Sequence, residues 1–261
     1  MVCPQCKDGQ LLAGEPVGQI LADYQGAYFT PGPENCSQKR AVLLLTDAFG
    51  MGLKNCKLIA DDFAKRVGCD VWIPDYFDGR PLINPSSLEL PDKPFERPSI
   101  FEWLKFIITI GIPSIPSIIH SRPSFIDLIK TQKKYERLGA VGYCFGGSTC
   151  VRFGSSDKIQ SIVICHPGRF TLDEVKAIKI PTAWVCAEDD MFFPDSLRDQ
   201  SEAVFAARKG KDHYNEYEFQ HYKGTTHGFA SRPNLENPEV KVAFEGACNQ
   251  IVNWFSKTLP A

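Results

Sequence analysis

The chain has 261 residues, 43% of them hydrophobic and 23% charged. That is enough apolar material for a sizeable core, and it excludes general disorder. Twenty-nine Lys and Arg against 31 Asp and Glu leave a net charge of −2, and with no long basic run the footprint of a nucleic-acid binder is missing. The most apolar stretch, 101–119, is interrupted by Glu102, Lys105, Gly111, Pro113 and Pro116, so no membrane span of ~20 apolar residues is expected.

The start of the chain carries no apolar run behind a basic segment, so no export signal is expected. No lipidation or retention signal is expected at the other end. Ten cysteines then read as free thiols, and the expected location is cytoplasmic. Cys3-Pro-Gln-Cys6 has no second pair of matching spacing, so neither a metal nor a cofactor is expected.

Residues 1–40 read as an arm and a hairpin, with short apolar runs at 17–22 and 27–30 around the turn signal Tyr24-Gln25-Gly26. From residue 41 the pattern changes. Continuously apolar runs at 41–46, 69–74, 138–142, 159–165, 182–186 and 217–222 suit strands buried on both faces. Amphipathic stretches at 56–67, 125–135, 194–207 and 240–259 suit helices; the first places Leu58, Ile59, Phe63 and Val67 at helical spacing. The alternation predicts an α/β fold in one domain over 1–261: a mostly parallel central sheet, helices on both faces and an N-terminal hairpin. Residues 79–122 are irregular and proline-rich, as a cap over the sheet would be. The apolar part of 98–123, around Trp103 and Phe106, is expected to act as a lid that sets substrate choice.

Gly142-Tyr143-Cys144-Phe145-Gly146-Gly147 carries the chemistry. It follows an apolar strand, precedes a helical stretch and has the nucleophile-elbow pattern with cysteine in the serine position. The elbow is a tight strand-to-helix turn, so its flanking positions must lack side chains. The helix that follows aims its N–H groups and dipole at the thiolate and at an oxyanion. An elbow predicts an acid and then a histidine at later strand ends. Glu188-Asp189-Asp190 follows the run at 182–186, and His227 follows the run at 217–222. His166, just past another strand end, is a candidate pocket residue. His120, His213 and His221 do not fit the strand-end pattern.

These motifs resemble the dienelactone hydrolase family of the α/β-hydrolase superfamily over residues 41–257, and His166-Pro167 and Asp47-Ala48-Phe49-Gly50 are most similar to its fungal branch. Gly-Tyr-Cys144-Phe-Gly-Gly is similar to the family's cysteine elbow, and Thr-His227-Gly-Phe-Ala to its histidine motif. Asp-Asp190-Met-Phe-Phe-Pro is similar to its acid motif, and the resemblance selects Asp190 over Glu188 and Asp189. Asp47-Ala48-Phe49-Gly50 occupies the oxyanion-loop position. The backbone N–H groups of Ala48 and Phe145 are therefore expected to hold the oxyanion. Asp47 stands where bacterial members carry a glutamate, which makes it the candidate partner of the resting thiol. Phe49, Tyr143, His166, Phe229 and Trp103 are the candidate substrate contacts.

The activity implied is hydrolysis of a small-molecule lactone or activated ester through a thioester acyl-enzyme, by a monomer or homodimer, with no nucleic-acid or membrane partner. The family's carboxylate-binding arginine, four residues after the histidine, would fall on Ser231, with Arg232 one place further; Arg80 and Arg97 are other candidates. A secondary-metabolite (polyketide) processing hydrolase and a non-catalytic ligand-binding protein of the same fold are the alternatives.

Overall fold

A computed structural model of the chain describes residues 9–34, 36, 39–88 and 125–260. The expected lid with Trp103 and Phe106, together with Arg97, His120, Cys3 and Cys6, lies outside the described residues.

One eight-stranded sheet organises the chain. Its strands are β1 (Gln19–Leu21), β2 (Ala27–Thr30), β3 (Arg40–Leu45), β4 (Asp70–Ile73), β5 (Arg137–Tyr143), β6 (Ser161–Cys165), β7 (Thr182–Asp189) and β8 (Tyr217–Thr226). They lie in the order β1-β2-β4-β3-β5-β6-β7-β8. The hairpin of β1 and β2 is antiparallel and joins β4 antiparallel. From β4 to β8 every pairing is parallel. The helices are α1 (Asn55–Phe63), α2 (Phe125–Lys133), α3 (Phe145–Phe153), α4 (Leu172–Lys176), α5 (Asp195–Ala206) and α6 (Pro238–Thr258).

The apolar runs are continuous because both sheet faces are covered. Successive side chains of a strand point to opposite faces. Val42, Leu44, Val141 and Val163 pack with Ile59 and Phe63 of α1 and Ile251 and Phe255 of α6. Leu43, Leu45, Ala140 and Ile162 pack on the other face with Ile129 of α2, Val151 of α3, Val175 of α4 and Phe205 of α5. Each fully buried Leu, Ile, Val or Phe contributes about 1.5–3 kcal/mol relative to exposure.

Three elements differ from the sequence pattern. The stretch at 56–67 is helical only to Phe63, and Ala64–Gly68 widens into a π turn. The periodicity of Phe63 and Val67 continues through that turn, so it gives no warning. α4 is too short for periodicity to reveal. Its signal is a capping box: the Thr171 N–H donates to the Glu174 carboxylate at 2.8 Å, and the Glu174 N–H donates to the Thr171 hydroxyl at 3.2 Å. β7 and β8 also run past their apolar cores. The Gly224 N–H donates to the Glu188 carboxylate at 2.7 Å, and the Glu188 N–H donates to the Thr225 hydroxyl at 3.3 Å. These polar contacts carry both strands to the edge where the candidate residues stand.

Candidate active site

The elbow forms where β5 turns into α3. Cys144 is the helix cap, at φ 52° and ψ −109°, and is 3% exposed. A non-glycine residue in this region is strained and persists only where its surroundings impose the conformation. The neighbouring glycines show how tight the surroundings are. A Cβ on Gly142 would stand 2.1 Å from the Gly146 carbonyl oxygen, and one on Gly146 would stand 2.2 Å from that of Leu45. The Gly146 N–H donates to the Thr46 carbonyl at 3.1 Å, and the Gly168 N–H donates to the Cys144 carbonyl at 2.8 Å. The loops after β3 and β6 therefore clamp the turn. Phe145 opens α3, so its N–H is one of the helix-end donors that have no acceptor within the helix.

β7 and β8 bring the acid and the histidine together. Their register shifts between Ala187 and Asp189, which sets Asp189 opposite Thr226. Asp190 and His227 are the first residues past the two strands. Asp190 Oδ2 and His227 Nδ1 are 2.8 Å apart, and the residues are 3% and 1% exposed. Asp190 Oδ1 accepts the Phe192 N–H at 2.9 Å. A carboxylate accepts only, so Nδ1–H is the donor to it and the imidazole lone pair sits on Nε2. Glu188 is exposed, whereas Asp190 is buried. Glu188 is engaged with β8, which leaves Asp190 as the acid that meets the imidazole.

The loop after β3 is built on charge. Asp47 Oδ1 accepts the Phe49 N–H at 3.0 Å. Its Oδ2 accepts the Ser231 hydroxyl at 3.1 Å and Nη1 of Arg232. Arg232 is 2% exposed and Asp47 5%. Losing one partner of such a buried pair leaves an uncompensated charge, at about 3–5 kcal/mol. The Arg232 guanidinium also lies 5.3 Å from the Phe49 ring centroid. Ala48, 1% exposed, sits between these contacts, and its carbonyl accepts the Ile83 N–H at 3.0 Å. Arg232 is thus tied to the loop after β3, one place beyond the position where the family pattern sets an arginine.

Among the other expected site residues, Phe49, Tyr143, His166 and Phe229 are all buried. The His166 ring packs against His227 at 5.2 Å and Phe229 at 5.9 Å between centroids. Two features escaped the sequence reading. Phe192 sits 5.5 Å from the His227 ring, edge-on, and shares an apolar cluster with Cys144, Ala48 and Phe49. Tyr76 and Phe77 pack on Phe145 at 5.7 and 5.4 Å. Phe192 lies within the quoted acid motif, two residues after Asp190, which was the available signal. Tyr76 and Phe77 follow β4 with no motif to mark them.

Burial, then the charges of His227 and Arg232, hold the His166 pKa well below 6.5. The unfolded chain takes up a proton near 6.5 that the folded protein refuses. This contribution is therefore complete above that pH and is lost as pH falls, by up to about 1.4 kcal/mol per pH unit. His166→Phe should flatten the dependence of Tm on pH below about 6.5. Equal slopes in variant and wild type would contradict the assignment.

Among the described residues, no three His, Cys, Asp or Glu side chains cluster as a metal site requires, and no helix is long and apolar enough to cross a membrane.

A mostly parallel sheet covered on both faces, with a strained strand-to-helix elbow and an acid–histidine pair at later strand ends, defines an α/β-hydrolase fold. The chain belongs to the dienelactone hydrolase family, whose profile matches residues 26–259, and is an ester or lactone hydrolase. It is 30% identical over 254 residues to hydrolase pyvD of Aspergillus violaceofuscus, covering 97% of this chain and 96% of that one. It is 27% identical over 266 residues to the human carboxymethylenebutenolidase homolog, covering 98% and 96%. Among solved structures it is similar to the dienelactone hydrolase-like promiscuous phosphotriesterase P91 from metagenomic libraries. That match has a TM-score of 0.60 at 17% identity over 89% of this chain and 92% of that one. Est1E from Butyrivibrio proteoclasticus is similar with a TM-score of 0.52 at 12% identity, over 88% and 94%. At these identities the structural likenesses carry the fold.

Proposed function

We propose that the chain hydrolyses an activated ester or lactone with Cys144 as nucleophile, His227 as base and Asp190 as the acid that orients it. The observation that carries this reading is the buried 2.8 Å contact between Asp190 and His227, at the strand ends beside the strained Cys144 turn.

In the proposed cycle the Cys144 proton passes to His227 Nε2, and Asp190 stabilises the imidazolium. The thiolate adds to the carbonyl carbon, and the Ala48 and Phe145 N–H groups receive the oxyanion. Collapse expels the alcohol or enolate, which takes the proton from His227, and leaves a thioester on Cys144. His227 then takes a proton from water, the hydroxide adds to the thioester, and the acid and the thiol are released.

Thiolate is both a good nucleophile and a good leaving group. A stable leaving group, such as an aryl oxide or the enolate of a strained lactone, therefore suits this site better than an amide. Phe49, Phe145 and Phe192 give the site an aromatic character that suits an apolar acyl part. The Asp47–Arg232 pair supports the shape of the oxyanion loop, and contact between Asp47 and the resting thiol would be made in competition with that pair. Cys56, Cys69, Cys150, Cys165, Cys186 and Cys248 are buried free thiols, which supports a reducing compartment such as the cytoplasm.

A panel of lactones, aryl esters and matched anilides tests the reading. The esters and lactones should turn over with kcat/KM at least 10³-fold above the anilides. Equal rates on anilides would point to a peptidase.

A further inference from the structure

The loop after β6 holds a residue for which the proposed cycle has no step. His166 is 0% exposed, yet neither ring nitrogen reaches a hydrogen-bond partner in another of the described residues. Its backbone is also unusual, at φ 32°. A phenylalanine would fill this space without orphaned polar atoms. Orphaned buried groups and strained backbone call for an explanation, and both collect at functional sites. Here they coincide in one residue beside His227.

The surroundings say what the ring can do. His227 is fixed through Nδ1 by Asp190. One contact comes from Phe192, 5.5 Å between centroids at 72°, and another from His166, 5.2 Å at 67°. The ionisable and charged groups around the pair include Tyr143 from the end of β5, 5.9 Å from the His166 ring, Arg232 from the loop after β8 with its partner Asp47, Asp190 from the end of β7 and, in the proposed cycle, Cys144.

We propose that His166 is a positioning residue for His227: an uncharged imidazole that fixes the plane of the base and steadies its imidazolium. The imidazolium forms where water is excluded. The ring dipole and nitrogen lone pair of a neutral imidazole stabilise the cation more than a phenyl ring does, whereas a second charge would oppose it. Burial keeps His166 uncharged. The proton moves from Cys144 to His227 and none passes to His166.

This inference rests on Cys144 and His227 being the nucleophile and base. The test is the rate of Cys144 alkylation by iodoacetamide against pH, with kcat, KM and Tm, in wild type, His166→Phe and His166→Ala. Wild type should lose activity as Cys144 is alkylated, with a midpoint below the ~8.5 of an ordinary thiol. In His166→Phe the midpoint should rise by about 0.5 pH unit, roughly three-fold less thiolate below it. Its kcat should fall several-fold at unchanged KM. His166→Ala, which also removes the ring, should lose more kcat. If either folded variant keeps the wild-type midpoint and kcat, His166 is only packing and the proposal is overturned. If wild type is alkylated at Cys144 without losing activity, the nucleophile reading fails and the positioning role falls with it.

Discussion

Cys144→Ala is expected to lower kcat/KM for ester hydrolysis by roughly four orders of magnitude or more, the scale on which hydrolases lose activity without their nucleophile. The fold should survive. Cys144 is a helix cap whose side chain makes no capping bond, and the clamps on the turn run through the backbone of Gly146, Gly168 and Cys144 itself. An unchanged Tm with activity lost is therefore the expected pairing. Cys144→Ser should also be poor, because a hydroxyl is much harder to deprotonate than a thiol and the base must do all of that work. A Cys144→Ala protein that keeps most of its kcat/KM would remove Cys144 from the chemistry.

Asp190→Asn is expected to cost about 10⁴-fold in kcat, as loss of the acid does in the serine triad. An asparagine can present its NH₂ to Nδ1, which shifts the ring proton to Nε2 and turns the base into a donor towards the thiol. Asp189→Asn should stay within a few-fold of wild type. Asp189 pairs with Thr226 in the β7–β8 ladder, and its side chain is not the one bound to His227. Equal losses from the two variants would contradict the assignment.

Much of this site is legible in the sequence, for physical reasons. The glycines at 142 and 146 are visible because the elbow brings backbone carbonyls to within 2.2 Å of where a side chain would begin. The strand runs are visible because a sheet covered on both faces needs apolar residues at successive positions. The acidic run 188–190 and His227 stand out through their order and their place at strand ends, and the family resemblance selects Asp190 within that run. What the sequence hides depends on distances between segments far apart in the chain. Nothing in the spacing of Asp47 and Arg232, 185 residues apart, announces that both are buried in one ion pair. Expecting the arginine at 231 gives no hint that Arg232 reaches the loop after β3. The register shift that aligns Asp189 with Thr226 leaves no mark in the composition of β7 or β8. The burial of His166 against His227 arises from the turn after β6, whose positive φ no residue type at that position advertises.

In the proposed cycle an acyl group rests on Cys144 during turnover. The most direct measurement is to quench the enzyme in acid while it hydrolyses an aryl ester slowly, digest with trypsin and locate the added mass. Cleavage after Arg137 and Arg152 puts Cys144 and Cys150 in the same peptide, so fragmentation must separate them. The expected result is the acyl mass on Cys144, released by hydroxylamine and absent from Cys144→Ala. An acyl group on another residue, or turnover with no acyl-enzyme while Cys144→Ala stays active, would contradict it.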